Sequence, residues 1–186
     1  MATTLLATTA NPQIAELENV FGEATKPIEW LVIAHNDSRM LQSLSSALNG
    51  ESAAILEVSQ DNWNFHKELS DTIDWALQQG DIKNLVLVGS SQAGGAESRA
   101  SLATSTKEDE SNYSKLLAGV NRVNDENRDA QERFASLVQQ MSQIPVVHNR
   151  WSSDKLAVYG LFYRAESGLF LAYDAATDTF RPLVSN

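Results

Sequence analysis

Two short polar segments of this chain hold the side chains best suited to chemistry. The first, His35-Asn36-Asp37-Ser38-Arg39, sets an imidazole, a carboxylate and a guanidinium at alternate positions. Together these groups could position a small anion, and His35 with Asp37 could begin a metal site. The second, Gly89-Ser90-Ser91-Gln92-Ala93-Gly94-Gly95, offers two hydroxyls and the free amides of a glycine-rich turn. Successive amides in such a turn can form an anion-binding nest. The familiar alternatives do not fit. No Gly-Lys-Ser/Thr follows the glycines, and they lack the GxGxxG dinucleotide spacing. Ser91 does not sit in a Gly-x-Ser-x-Gly elbow with an evident histidine partner. The site candidates in these segments are His35, Asp37, Arg39, Ser90, Ser91 and Gly94.

Each segment follows an unbroken apolar run. Ile28 to Ala34 (IEWLVIA) and Leu85 to Val88 (LVLV) read as strands buried on both faces. Ala53 to Val58 reads as a strand between them. Helical spacing covers Met40 to Leu48, with Asn49-Gly50 as its stop, and then Leu69, Ile73, Ala76 and Leu77 up to Gly80. Strands alternating with helices predict a mainly parallel α/β sheet with right-handed crossovers. In such sheets ligands bind beyond the carboxyl ends of the strands, which is where both polar segments fall. If the first and third strands are neighbours, the segments face one another.

The rest of the chain completes a single domain over residues 1–186, with an N-terminal helical arm of about residues 1–27. In that arm Asn11-Pro12 is a helix start, as cap and first helical residue. Ile14, Leu17, Val20 and Phe21 share one face, and Gly22 ends the run. The polar stretch Glu97 to Ser111 reads as a solvated loop or helix entry. Leu116 to Gln143 is helical, one broken helix or two, with Phe134, Leu137, Val138 and Met141 buried and Pro145 as its stop. Leu156 to Tyr163 and Leu169 to Tyr173 flank Glu166-Ser167-Gly168 and predict a C-terminal hairpin.

Composition narrows the function classes. Of 186 residues 42% are hydrophobic and 20% charged, enough to build a core without disulfides or a structural metal. The net charge of −10 argues against nucleic acid or an anionic membrane as partner, because phosphate recognition needs clustered Lys and Arg. With no cysteine, thiolate ligands, iron–sulfur clusters and cysteine nucleophiles are excluded. Met1 to Asn11 lacks the basic and hydrophobic regions of a signal peptide, and no stretch reaches the length of a membrane span, so the expected location is cytoplasmic. Trp30 and Trp75 fall inside predicted elements as packing residues, and neither they nor Trp63 and Trp151 interleave with basic residues.

The two segments and the tail together resemble the β-carbonic anhydrases. That family carries Cys-x-Asp-x-Arg after its first sheet strand and a Gly-His-Ser-x-Cys-Gly-Gly turn after a later one. The closing segments Val158-Tyr159-Gly160-Leu161-Phe162-Tyr163, Glu166-Ser167-Gly168 and Leu171-Ala172-Tyr173-Asp174-Ala175-Ala176-Thr177 resemble the family's tail. The resemblance runs from Trp30 to Leu183 and is least clear between Asn49 and Phe65.

It implies a β-carbonic-anhydrase-like fold, a homo-oligomer such as a dimer, and a zinc site built from two Cys and one His. Those three positions are occupied here by His35, Ser90 and Ala93. Ala93 has no donor atom and a neutral Ser90 hydroxyl is a poor zinc ligand, so zinc is expected to be absent. The implied function is a non-catalytic homologue, binding a small anion such as bicarbonate or serving as an oligomer subunit. The alternative is a diverged carbonic anhydrase-like lyase using a metal held through His35, with Asp37 and Gln92 or Glu97 as further donors. His66 and His148 read as surface or packing residues. Asp37 and Arg39 match the family's catalytic pair; without zinc their role is structural, Asp37 capping the next helix and Arg39 bracing it, with the alternative that they position an anion such as bicarbonate together with His35.

Overall fold

A computed structural model describes residues 11–48, 51–59, 67–92 and 111–183, with side chains in the last segment described from residue 124. His66, Trp63, Ala93, Gly94, Gly95, Glu97 and the rest of the polar stretch 97–110 lie outside the described residues. The described elements are α1 (Pro12–Glu23), β1 (Trp30–His35), α2 (Ser38–Ala47), β2 (Ala53–Val58), α3 (Lys67–Gln79) and β3 (Asn84–Ser90). They continue with α4 (Ser111–Ser142), α5 (Pro145–Ser152), β4 (Ala157–Arg164), β5 (Leu169–Asp174) and β6 (Thr179–Pro182).

The strands form one six-stranded sheet in the order β2-β1-β3-β4-β5-β6. β1 lies between β2 and β3, and all contacts from β2 through β4 are parallel. β4, β5 and β6 then run antiparallel to one another. The expected α/β architecture, the adjacency of β1 and β3 and the hairpin at Glu166–Gly168 are all present.

Strand alternation explains the continuous apolar runs. Leu31 and Ile33 of β1, with Leu85 and Leu87 of β3, enter the larger core together with residues of α1, α3, α4 and α5. Val32, Ala34, Val86 and Val88 point the other way, to a smaller core closed by Met40 and Leu44 of α2. Because both faces are covered, every second residue cannot be polar.

Three helix readings differ from the sequence reading. α4 is one continuous 32-residue helix, neither broken nor paired. Its buried stripe, Ala130, Phe134, Val138 and Met141, recurs at helical spacing and keeps it on the sheet. Pro145 opens a helix instead of stopping one: α4 has already ended at Ser142, and proline suits the first turn of α5 because its missing N–H would be unpaired there. Gly22 likewise lies within α1, which ends at Glu23. The strand β6, which the sequence reading missed, pairs along β5 at the sheet edge, the place where Pro182 is tolerated.

α4 approaches the sheet closely because two strand positions lack side chains. A Cβ on Gly89 would stand 2.4 Å from Phe134 Cδ2, and one on Gly160 would stand 2.9 Å from Val138 Cγ2. The Phe134 ring also lies 5.7 Å from that of Phe162. At the other end of the fold, Asn11 caps α1 by accepting from Gln13 N at 3.0 Å. Its amide nitrogen donates to Glu68 O and to Thr72 Oγ1 of α3, tying the N-terminal helix to the domain. Trp75 packs edge-on against Phe21 of α1, and Trp30 stacks on Tyr159, as expected of packing residues.

Candidate functional site

The carboxyl ends of β1 and β3 converge because the strands are parallel neighbours in register, Ala34 beside Val88. Both strands run further than the sequence suggested, so His35 and Ser90 are their last residues instead of loop residues. Alternation puts His35 on the side of Leu31 and Ile33 and Ser90 on the side of Val86 and Val88. The two therefore approach the end of the sheet from opposite faces.

Asp37 holds the junction. It is extended (φ −127°, ψ 109°) and caps α2, its Oδ1 accepting from Arg39 N at 3.0 Å and Met40 N at 3.2 Å. This is the helix-start role that the sequence suggested. The bracing partner is different. Arg39 is exposed, and among the described residues it forms no ion pair with Asp37. Instead the Ser90 hydroxyl donates to Asp37 Oδ2 at 2.8 Å. The same Ser90 oxygen accepts from Gln92 N at 3.2 Å. With Ser90 only 1% exposed, this is a shielded, charge-assisted bond.

Ser91 extends the seam to the hairpin. Its hydroxyl donates to the Glu166 carboxylate, at 3.1 and 3.2 Å to the two oxygens, and accepts from Ala165 N at 3.0 Å. Its own N–H donates to Tyr163 O at 2.9 Å. Hydrogen bonds thus run from the cap of α2 through the end of β3 to the β4–β5 turn. Sequence reasoning named Asp37, Ser90 and Ser91, but missed Glu166 as a partner because nothing in the pattern says which turn residue the hairpin brings over.

His35 is 8% exposed, and burial lowers its proton affinity below the ordinary histidine value, against an opposing pull from the negative charge of Asp37. It is therefore neutral near pH 7. His148 is exposed and packs against Trp151 on α5, in keeping with a surface or packing role.

Zinc needs three or four N, S or O donors in tetrahedral arrangement. His35 supplies one. The Ser90 hydroxyl proton is committed to Asp37 and its oxygen to Gln92, and alanine at position 93 has no donor atom. Among the described residues no group of three His, Cys, Asp or Glu side chains could hold a metal ion. These residues do not fit the family's zinc.

The family model for carbonic anhydrase matches residues 30–170, three quarters of the chain. The chain belongs to the β-carbonic anhydrase family. Its fold is similar to that of the β-carbonic anhydrase CcaA, with 19% identity over 92% of this chain and 84% of that one and a TM-score of 0.59. The β-carbonic anhydrase CafA of the fungal pathogen Aspergillus fumigatus is 21% identical over 90% of this chain and 85% of its own, with a TM-score of 0.57. A tetrameric β-carbonic anhydrase of the filamentous ascomycete Sordaria macrospora is 18% identical, covers 88% of both chains and has a TM-score of 0.53. No curated protein matches the chain. Among the described residues no helix is long and apolar enough to cross a membrane.

Proposed function

We propose that this chain is a non-catalytic β-carbonic anhydrase homologue in which a hydrogen-bonded seam stands where the family holds zinc. The observation that carries this reading is the 2.8 Å bond from Ser90 to Asp37. It commits a family ligand position and the family's catalytic carboxylate to each other and to the cap of α2. In the family, zinc lowers the pKa of bound water towards ~7 to make hydroxide that attacks carbon dioxide. Nothing in the seam substitutes for that, since Asp37 and Ser90 together offer no group poised to deprotonate water. A small-anion role, for bicarbonate or a similar ion, fits this crevice only outside the seam, where donors remain unspent. The role as an oligomer subunit is supported by the tetrameric relative.

The second reading, a lyase using a metal held through His35, draws on the neutral state of that imidazole, which is the form that binds metals. One experiment separates them. Protein purified without chelators is assayed for metals by plasma mass spectrometry and for carbon dioxide hydration by stopped flow. The expected result is well under one zinc per chain and no rate above the uncatalysed reaction. Stoichiometric zinc with hydration activity, both lost in His35→Ala, would establish the lyase instead. Sedimentation velocity tests self-association, with a concentration-independent monomer as the contrary result.

A further inference from the structure

Among the described side chains, the buried stripe of α4 runs up to a polar residue. Phe134, Ala130 and Asn127 follow one another up the same helix face, and Asn127 is only 5% exposed. Its Nδ2 is buried without a hydrogen-bond partner among the described residues, and so is Nε of Arg164, the last residue of β4. Buried donors in folded proteins are almost always paired, and one left unpaired calls for an explanation such as a bound water or ion.

The packing register brings the two donors to one place. Val138 lies against Gly160, while Phe134 lies against Phe162 and Gly89, so α4 runs antiparallel to β4 across this face. Four helix residues advance about 6 Å and two strand residues about 6.7 Å, so the elements stay in step. One further step sets Ala130 level with Arg164, and Asn127 sits less than one helical turn beyond. Arg164 alternates with Phe162 and so lies on the α4 side of the sheet, the side on which β1 ends in His35. It is a permanent cation. Asn127 adds a neutral N–H donor beside it.

We propose that Asn127 Nδ2 and Arg164 Nε form a binding site for a small planar oxyanion at the carboxyl end of the sheet, on the α4 face. The inference rests on the reading that this crevice no longer serves a catalytic metal, and it moves the anion away from the Asp37–Ser90 seam. A planar oxyanion presents two acceptor oxygens, one for each unspent donor. The site discriminates against cations through the Arg164 charge and against large anions through burial.

The test uses isothermal titration of the full chain with sodium acetate, sodium nitrate and sodium bicarbonate, at constant ionic strength. Binding of at least one of these is expected, weakened tenfold or more in Asn127→Leu and in Arg164→Met, and unchanged in Arg39→Ala. Thermal melts without anion guard against misfolding. Asn127→Leu exchanges an unpaired donor for an apolar group of similar size, so its melting temperature should equal or exceed that of the parent. A variant that gains stability while losing the anion marks a residue kept for binding. No binding by any probe, or binding that both variants retain, overturns the proposal. Because metal content and hydration are read on the same preparations, a zinc-loaded active protein would instead be a failure of the non-catalytic reading.

Discussion

Ser90 and Asp37 should be energetically coupled, and a double-mutant cycle measures by how much. Ser90→Ala removes a donor to a carboxylate at 2.8 Å and an acceptor for Gln92 N. A hydrogen bond to a charged group contributes about 1.5–3 kcal/mol, and a neutral one about 1 kcal/mol. Asp37 is only partly buried, so water recovers part of the loss at Oδ2. The single substitution should therefore cost about 2–3 kcal/mol, a fall of roughly 5–10 °C in melting temperature for a chain of this size. Asp37→Ala loses the same bond, the cap worth about 1 kcal/mol, and leaves the buried Ser90 hydroxyl without its acceptor. The double variant loses the shared bond once, so the cycle should return a coupling of about 1.5–2.5 kcal/mol. Urea denaturation at one fixed protein concentration, with equal m-values across the four proteins, provides the readout. A coupling below about 0.5 kcal/mol would refute the seam, because that is the scatter expected of independent sites.

Three further outcomes follow from other contacts. Gly89→Ala drives a methyl to 2.4 Å from Phe134, so α4 must shift; a loss of about 1–3 kcal/mol in urea denaturation is expected, and Phe134→Leu should recover part of it. Asn11→Ala removes the cap of α1 and its clasp on Glu68 and Thr72, costing about 1–2 kcal/mol, and should speed amide exchange in α1 before α3. His35 is held neutral by burial, with a folded-state proton affinity below the ordinary value of 6.5. The unfolded chain therefore binds the extra proton as the pH falls through that value. The stability this supplies is complete above it and is lost below it, by up to about 1.4 kcal/mol per pH unit. His35→Gln should flatten the stability profile between pH 7 and 5, whereas an unchanged slope would assign it to other groups.

Much of the sheet was legible because β1 and β3 are buried on both faces, and only long apolar runs such as IEWLVIA survive there. Polarity ordinarily marks a strand's end and so points to a turn at Ser90, yet its hydroxyl is satisfied by Asp37 and the strand continues through it. Pro145 reads equally as a stop or a start, because proline both ends and begins helices, and only the preceding boundary at Ser142 decides between the two. β6 was missed because Thr179–Pro182 is short and mostly exposed, so alternation leaves little trace. The site was half legible. Segment order brought Asp37 and Ser90 together, but a one-dimensional pattern does not show that Arg39 turns outward or that Asn127 is buried on the stripe of a helix 37 positions beyond Ser90.

On the non-catalytic reading proposed above, the seam also explains how the fold stands without the family's metal ligands. A metal cross-links the ends of two strands, and removing its ligands one by one would leave buried polar groups without partners, each costing about 1–3 kcal/mol. Here Ser90 finds Asp37, a residue already fixed as the cap of α2 whatever else it does. On that reading the hydroxyl stands in for a long-range metal bridge with a bond to a carboxylate whose geometry the helix start dictates. Ser91 makes a second bridge to Glu166, so β3 stays joined to the hairpin. Asp37 and Ser90 are thereby bound to the fold as a pair. On this argument, restoring histidine at position 90 alone would remove the donor that Asp37 accepts, introduce a larger ring where the serine is 1% exposed, and destabilise the chain without creating a metal site.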